Sequence, residues 1–97
     1  MAEVDEKMTT LERAIETYGK DMQLNVAIEE FSELIKEICK YKRGEGNLDN
    51  IIEEMADCYI MLSQLKIIFG IEEDGVTNVI AKKIVRLEER LTERSQK

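Results

Sequence analysis

Two stretches of one pattern carry the side chains best suited to chemistry: Ile28-Glu29-Glu30-Phe31-Ser32-Glu33 and Ile52-Glu53-Glu54-Met55-Ala56-Asp57. Within Glu30/Glu33 and within Glu54/Asp57 the spacing of three puts both acids on one side of a helix. Four carboxylates facing one another repel and raise one another's pKa unless something positive lies between them. Oxygen donors without sulfur or imidazole favour a hard cation. Magnesium is the usual one where a phosphate substrate completes its octahedron, with manganese as a substitute. Glu37, four residues beyond Glu33, extends the acidic stripe as a further ligand or a base. One Glu-x-x-Glu in an acidic protein is ordinarily a solvated helix shoulder; two in matched phase on neighbouring helices point to a metal site.

The chain has no histidine, which excludes histidine general bases and imidazole metal sites. Chemistry therefore falls to carboxylates, lysines, tyrosines or bound metal. Cys39 and Cys58 fit no Cys-x-x-Cys spacing and read as small buried hydrophobes.

The elements that hold these acids follow from composition and period. The 97 residues contain no proline and five glycines, which suits one all-α domain over residues 1–97 with long helices. A capping box, Thr9-x-x-Glu12, starts a first helix that Gly19 stops, and residues 1–8 are expected to fray. Leu24, Ala27, Phe31, Leu34, Ile35, Ile38 and Tyr41 recur at the helical period and predict a second helix over about Lys20 to Lys42. The run Arg43-Gly44-Glu45-Gly46-Asn47 is a turn, and Asn47 can cap the third helix, which Gly70 ends. Val76, Val79, Ile80, Ile84, Leu87 and Leu91 form the stripe of a fourth helix.

With a helical advance of about 100° per residue, and Ala27 and Ile51 as zero on their own helices, Glu30 and Glu54 both fall at about 300°. By the same advance Glu33 and Asp57 fall at about 240° and Glu37 at about 280°, while both apolar stripes centre at about 30°. In a hairpin turning at Gly44 to Gly46, both acidic pairs lie about 15 to 20 Å from the turn. The four carboxylates are expected to converge beside the buried face of an antiparallel bundle of about four helices. Phe31, Tyr41, Tyr59 and Phe69 lie on the stripes as core residues. Ile60, Met61, Ile67 and Ile68 add apolar surface beyond the needs of one small bundle, which predicts a homodimer or a dimer of dimers.

The formal net charge of −7 argues against a nucleic-acid polymer as partner, since phosphate backbones demand a basic footprint. The charge is also segregated. Residues 1–75 carry 8 basic and 18 acidic side chains, whereas residues 76–97 carry 6 basic and 3 acidic. No stretch approaches the roughly 18 apolar residues of a membrane span. The N-terminus lacks a basic region followed by an apolar core, so a cytoplasmic protein without a membrane partner is expected.

Glu30-x-x-Glu33, twenty intervening residues and Glu54-x-x-Asp57 on a helix-turn-helix resemble the all-α nucleoside triphosphate pyrophosphohydrolases of the MazG type. The phrases Ala-Ile-Glu-Glu-Phe-Ser-Glu-Leu-Ile-Lys-Glu-Ile (27–38) and Ile-Glu-Glu-Met-Ala-Asp (52–57) are similar to the short single-domain members of bacteria and phages. The resemblance covers residues 20–94. It implies hydrolysis of a (deoxy)nucleoside triphosphate to monophosphate and pyrophosphate as nucleotide-pool housekeeping. Magnesium is then held by Glu30, Glu33, Glu54 and Asp57, and Glu33 or Glu37 takes a proton from water. The same resemblance sets Lys83 and Arg86, with Lys82 and Asn78, against the phosphates. Gln23 and Asn25 are candidates for a base edge. The chain departs from fuller members by its brevity, which leaves little room for a base pocket and gives a partner subunit a part in completing the cleft. A reading of another class is a non-catalytic acidic helical dimer that serves as a protein-interaction module. A calcium module is disfavoured, because no Asp-x-Asp-x-Asp-Gly loop exists.

Overall fold

A computed structural model describes residues 8–95, which form four helices: α1 (Thr10–Tyr18), α2 (Lys20–Lys42), α3 (Leu48–Ile68) and α4 (Glu73–Ser95). Of the segment expected to fray, residues 1–7 lie outside the described residues. The helix starts follow local chemistry. Thr9 N–H donates to Glu12 Oε1 at 2.9 Å and Glu12 N–H to Thr9 Oγ1 at 3.1 Å, so the capping box is complete. Asn47 Oδ1 accepts from Asn50 N–H at 3.2 Å at the head of α3. Gly19, at φ 92°, turns the chain between α1 and α2 where a side chain would be strained. Helix α4 begins three residues before the expected Val76, with Glu73 and Asp74 in its first turn, where acids favour the helix dipole.

The α2–α3 turn is tight. Glu45 N–H donates to Lys40 O at 2.9 Å and Gly44 N–H to Tyr41 O at 3.0 Å. A Cβ on Gly46 would stand 2.5 Å from Tyr41 Cα, so only glycine lets the returning chain pass the end of α2. Gly46→Ala is expected to destabilise the fold by about 1–3 kcal/mol, as overpacking against backbone does. A thermal melt by circular dichroism checks this, and a wild-type melting temperature would contradict the close approach.

Packing differs from expectation in two ways. First, α2 and α3 form the main antiparallel contact and α1 packs on both, burying Ile15, but α4 buries no residue. Within one chain the bundle therefore has three helices and not four, and the molecule measures 63 × 36 × 21 Å because α4 stands away.

Second, the helices meet on a different face. Gln23, Ala27 and Glu37 are buried on α2, with Glu30 and Leu34 half-buried; Cys58, Met61 and Gln64 are buried on α3, with Glu54 and Asp57 half-buried. These positions centre at about 320° on α2 and about 280° on α3, roughly 70° and 110° from the apolar stripe centres, with Ala27 and Leu34 shared by stripe and contact on α2. Small residues explain the choice, since Ala27 and Cys58 allow close approach of the two backbones. The larger apolar side chains Ile35, Ile38, Ile52, Met55 and Leu62 are left exposed. So are Tyr41, Tyr59 and Phe69, which corrects their assignment as core aromatics within one chain; Phe31 is half-buried. Cys58 is buried as expected and Cys39 is exposed; both are free thiols. Among the described residues no helix is long and apolar enough to cross a membrane.

Candidate metal centre

The rotated helix contact brings acids together between α2 and α3. Glu30 from α2 and Glu54 and Asp57 from α3 each present a carboxylate oxygen, and these atoms lie within 4.8 Å of one another. All three side chains are half-buried. The thiol of Cys58 donates to the Glu30 carbonyl at 3.5 Å, which fixes the register of the two helices at this level. Oxygens so placed can hold a metal ion.

Electrostatics show how strained the group is when it holds protons alone. Burial pushes the Glu30 carboxyl above its usual 4.5, and so do hydrogen bonding to Asp57 and the charges of Asp57, Glu54 and Glu33. Glu54 is raised first by burial, then by Asp57, Glu33, Glu37 and Glu53. The charges that raise these two groups are acidic, and among the described residues no lysine or arginine forms an ion pair with Glu30, Glu54 or Asp57. Burial and then the charges of Glu30, Glu54 and Asp57 push the Cys58 thiol up, and its sulfur lies outside the three-carboxylate group.

The donors fit a hard divalent cation. Glu54 Oε2 is buried with no hydrogen-bond partner, and a buried carboxylate oxygen without one is costly. The set is carboxylate oxygen throughout, the chemistry of magnesium, manganese and calcium sites.

Not every expected residue joins the group. Glu33 is exposed and lies outside the three-oxygen cluster, though close enough to raise both Glu30 and Glu54. Glu37 is 7% exposed; its Oε2 lies 3.4 Å from Lys40 Nζ and its Oε1 is buried without a partner. Asn78, Lys82, Lys83 and Arg86 are all exposed on α4, and none of them is hydrogen-bonded or ion-paired to Glu30, Glu54 or Asp57. Within one chain these four are not brought to the acids, because α4 does not pack on the hairpin. Lys83 and Arg86 do share a shallow depression with Arg90. Gln23 is buried and Asn25 exposed.

Two residues escaped the sequence reading. Gln64 is 3% exposed with Oε1 unpaired; the period Met61-x-x-Gln64-x-x-x-Ile68 would have placed it inside. Arg90 was signalled by its spacing of four from Arg86.

Compared with protein-family models, with curated proteins and with solved structures, the chain finds no match in any of the three.

Proposed function

We propose that the protein hydrolyses a (deoxy)nucleoside triphosphate to the monophosphate and pyrophosphate, as cytoplasmic nucleotide-pool housekeeping with magnesium as cofactor. The observation that carries this reading is the meeting of three carboxylates from two helices with no ion pair to a described lysine or arginine. Magnesium bound there would neutralise and orient the triphosphate and acidify a bound water.

The chain's own groups take distinct parts. Glu30, Glu54 and Asp57 hold the ion. Glu33, exposed beside them, is open to water and suits the role of proton acceptor better than that of fourth ligand. Glu37 is closed to solvent and paired with Lys40, and its charge raises Glu54 from within the hairpin, so it suits the role of proton acceptor less well than Glu33. Lys83 and Arg86, with Lys82 and Asn78 beside them, supply polar contacts and positive charge for the phosphates. Because α4 stands off from its own hairpin, they serve a site only where two chains meet, which agrees with a homodimer or a dimer of dimers.

Glu33→Gln is expected to lower kcat by about 10²–10⁴-fold, the usual worth of a general base, while magnesium affinity stays within a few-fold of wild type. Glu37→Gln should cost less. Equal losses of turnover and metal affinity in Glu33→Gln would make Glu33 a ligand and not the base.

A second reading, a non-catalytic acidic dimer acting as an interaction module, is favoured by the many apolar side chains exposed on α2, α3 and α4. One experiment separates the two. A panel of standard and modified triphosphates is incubated with magnesium and assayed for pyrophosphate and for free phosphate. Monophosphate with pyrophosphate supports hydrolysis between the α and β phosphates; turnover of none, or free phosphate alone, overturns it.

A further inference from the structure

Helix α4 carries positive charge that neither the helix dipole nor ion pairing accounts for. With Val76 as zero, Lys83, Arg86 and Arg90 fall between about 280° and 340° and span about 10 Å of the helix axis. All three are exposed, and they line one shallow depression of about 240 Å³.

Two structural reasons ordinarily place cations on a helix. The first is the dipole, which favours them in the last turn and falls off beyond it. Arg94 is so placed, whereas Lys83 and Arg86 stand more than two turns before the helix end at Ser95. The second is pairing with acids three or four residues along. Glu89 follows Arg86 by three residues and Glu93 follows Arg90 by three. Yet the ion pairs among the described residues are Lys40–Glu37 and Arg43–Glu45, and neither involves α4. Arg86 and Arg90, four residues apart, instead lie beside one another as like charges, which weakens a helix. An anion in the depression would relieve that repulsion.

The make-up of the cluster indicates which anion. Arginine presents a planar fork of donors that takes phosphate oxygens two at a time, and lysine adds a point charge. Charge-assisted bonds reach only about 2.7–2.9 Å, so a run of three cations along about 10 Å of helix suits phosphates joined end to end better than a single one. Lys82 and Asn78, at about 240° and 200°, do not line the depression, and Arg90 does.

We propose that Arg90 completes, with Lys83 and Arg86, a site for linked phosphates, and that it grips the β- and γ-phosphates of the substrate, which leave together as pyrophosphate. Arg90 thereby makes the protein prefer triphosphates to diphosphates. The assignment to the substrate's own phosphates rests on the hydrolysis proposed above; free inorganic pyrophosphate presents the same chemistry and serves as the probe.

The test titrates inorganic pyrophosphate, and separately inorganic phosphate, into the full chain with magnesium and follows the heat of binding, which requires no turnover. Pyrophosphate is expected to bind about 10-fold or more tighter than phosphate. Arg90→Gln should weaken pyrophosphate by about 10–100-fold, the usual worth of hydrogen bonds to a charged group, and Arg90→Lys should fall between, because the fork is lost and the charge kept. Arg94→Gln removes the same charge from the same helix outside the depression and should change the affinity no more than about threefold in physiological salt. In turnover, Arg90→Gln should narrow the ratio of kcat/KM for triphosphate over diphosphate by about 10-fold. Pyrophosphate binding that depends on Arg90 supports the site even where no triphosphate is hydrolysed, and that outcome would sink the hydrolysis alone. Equal affinity for phosphate and pyrophosphate, wild-type affinity in Arg90→Gln, or equal weakening by Arg90→Gln and Arg94→Gln overturns the proposal.

Discussion

Asp57→Asn is expected to lower pyrophosphate release by about 100-fold or more while raising the melting temperature of the metal-free protein. The loss follows from removing one of three oxygens that meet between α2 and α3; disturbing even groups behind a metal ligand costs about 10–100-fold. The gain follows from the same geometry. Asp57 raises both Glu30 and Glu54, so a neutral amide in its place relieves two repulsions that no ion pair with a described basic residue offsets. Opposite movement of activity and stability is the signature of a site whose residues are kept for function at the expense of the fold. Steady-state kinetics and a thermal melt in chelator check both arms. Wild-type turnover would remove Asp57 from the site, and a lower melting temperature would show that the acids are not in conflict.

The second large effect is in pH and metal. Glu30 and Glu54 have folded-state pKa values above the 4.5 they take in an unfolded chain. Between those values the folded chain holds protons that the unfolded chain has released. Their contribution to stability is thus complete below pH 4.5 and is lost as pH rises through the folded values. Glu12 has the opposite sign. Its bonds to Thr9 hold it below 4.5, so its contribution is present above pH 4.5 and fades as pH falls through its lowered value. Metal-free protein should therefore lose melting temperature as pH rises from about 4.5 toward neutrality, the more so because a net charge of −7 repels itself. Magnesium at neutral pH should reverse the loss, by about 2.7 kcal/mol at a concentration 100 times its Kd. A melting temperature flat with pH and indifferent to magnesium would contradict the site.

Much of this architecture was legible in the residues. Thr9, Asn47, Gly19 and Gly46 mark helix ends through capping and turn chemistry, which depend on a few neighbouring atoms and hence on local sequence. The convergence of Glu30, Glu54 and Asp57 was legible because matched spacing and matched distance from one turn require little knowledge of the rest. The face on which α2 and α3 meet was not. Periodicity locates an apolar stripe but does not say what covers it, and here Ala27 and Cys58 draw the backbones together on the acidic side while Met55, Tyr59 and Leu62 look outward. Helix α4 escaped for the same reason. Its stripe from Val76 to Leu91 was read as the fourth side of a bundle, but one chain leaves that stripe exposed. Glu33 was expected inside with Glu30, and one further step of three residues carried it out to solvent.

The ion itself can be counted directly. Manganese titrated into the full chain at neutral pH without nucleotide, and followed by the electron paramagnetic resonance of the free ion, should show one tight site per chain. Glu54→Gln should weaken that site by about 100-fold or more, with helicity unchanged by circular dichroism. Equal binding by wild type and Glu54→Gln, or none by wild type, would contradict a metal centre at Glu30, Glu54 and Asp57.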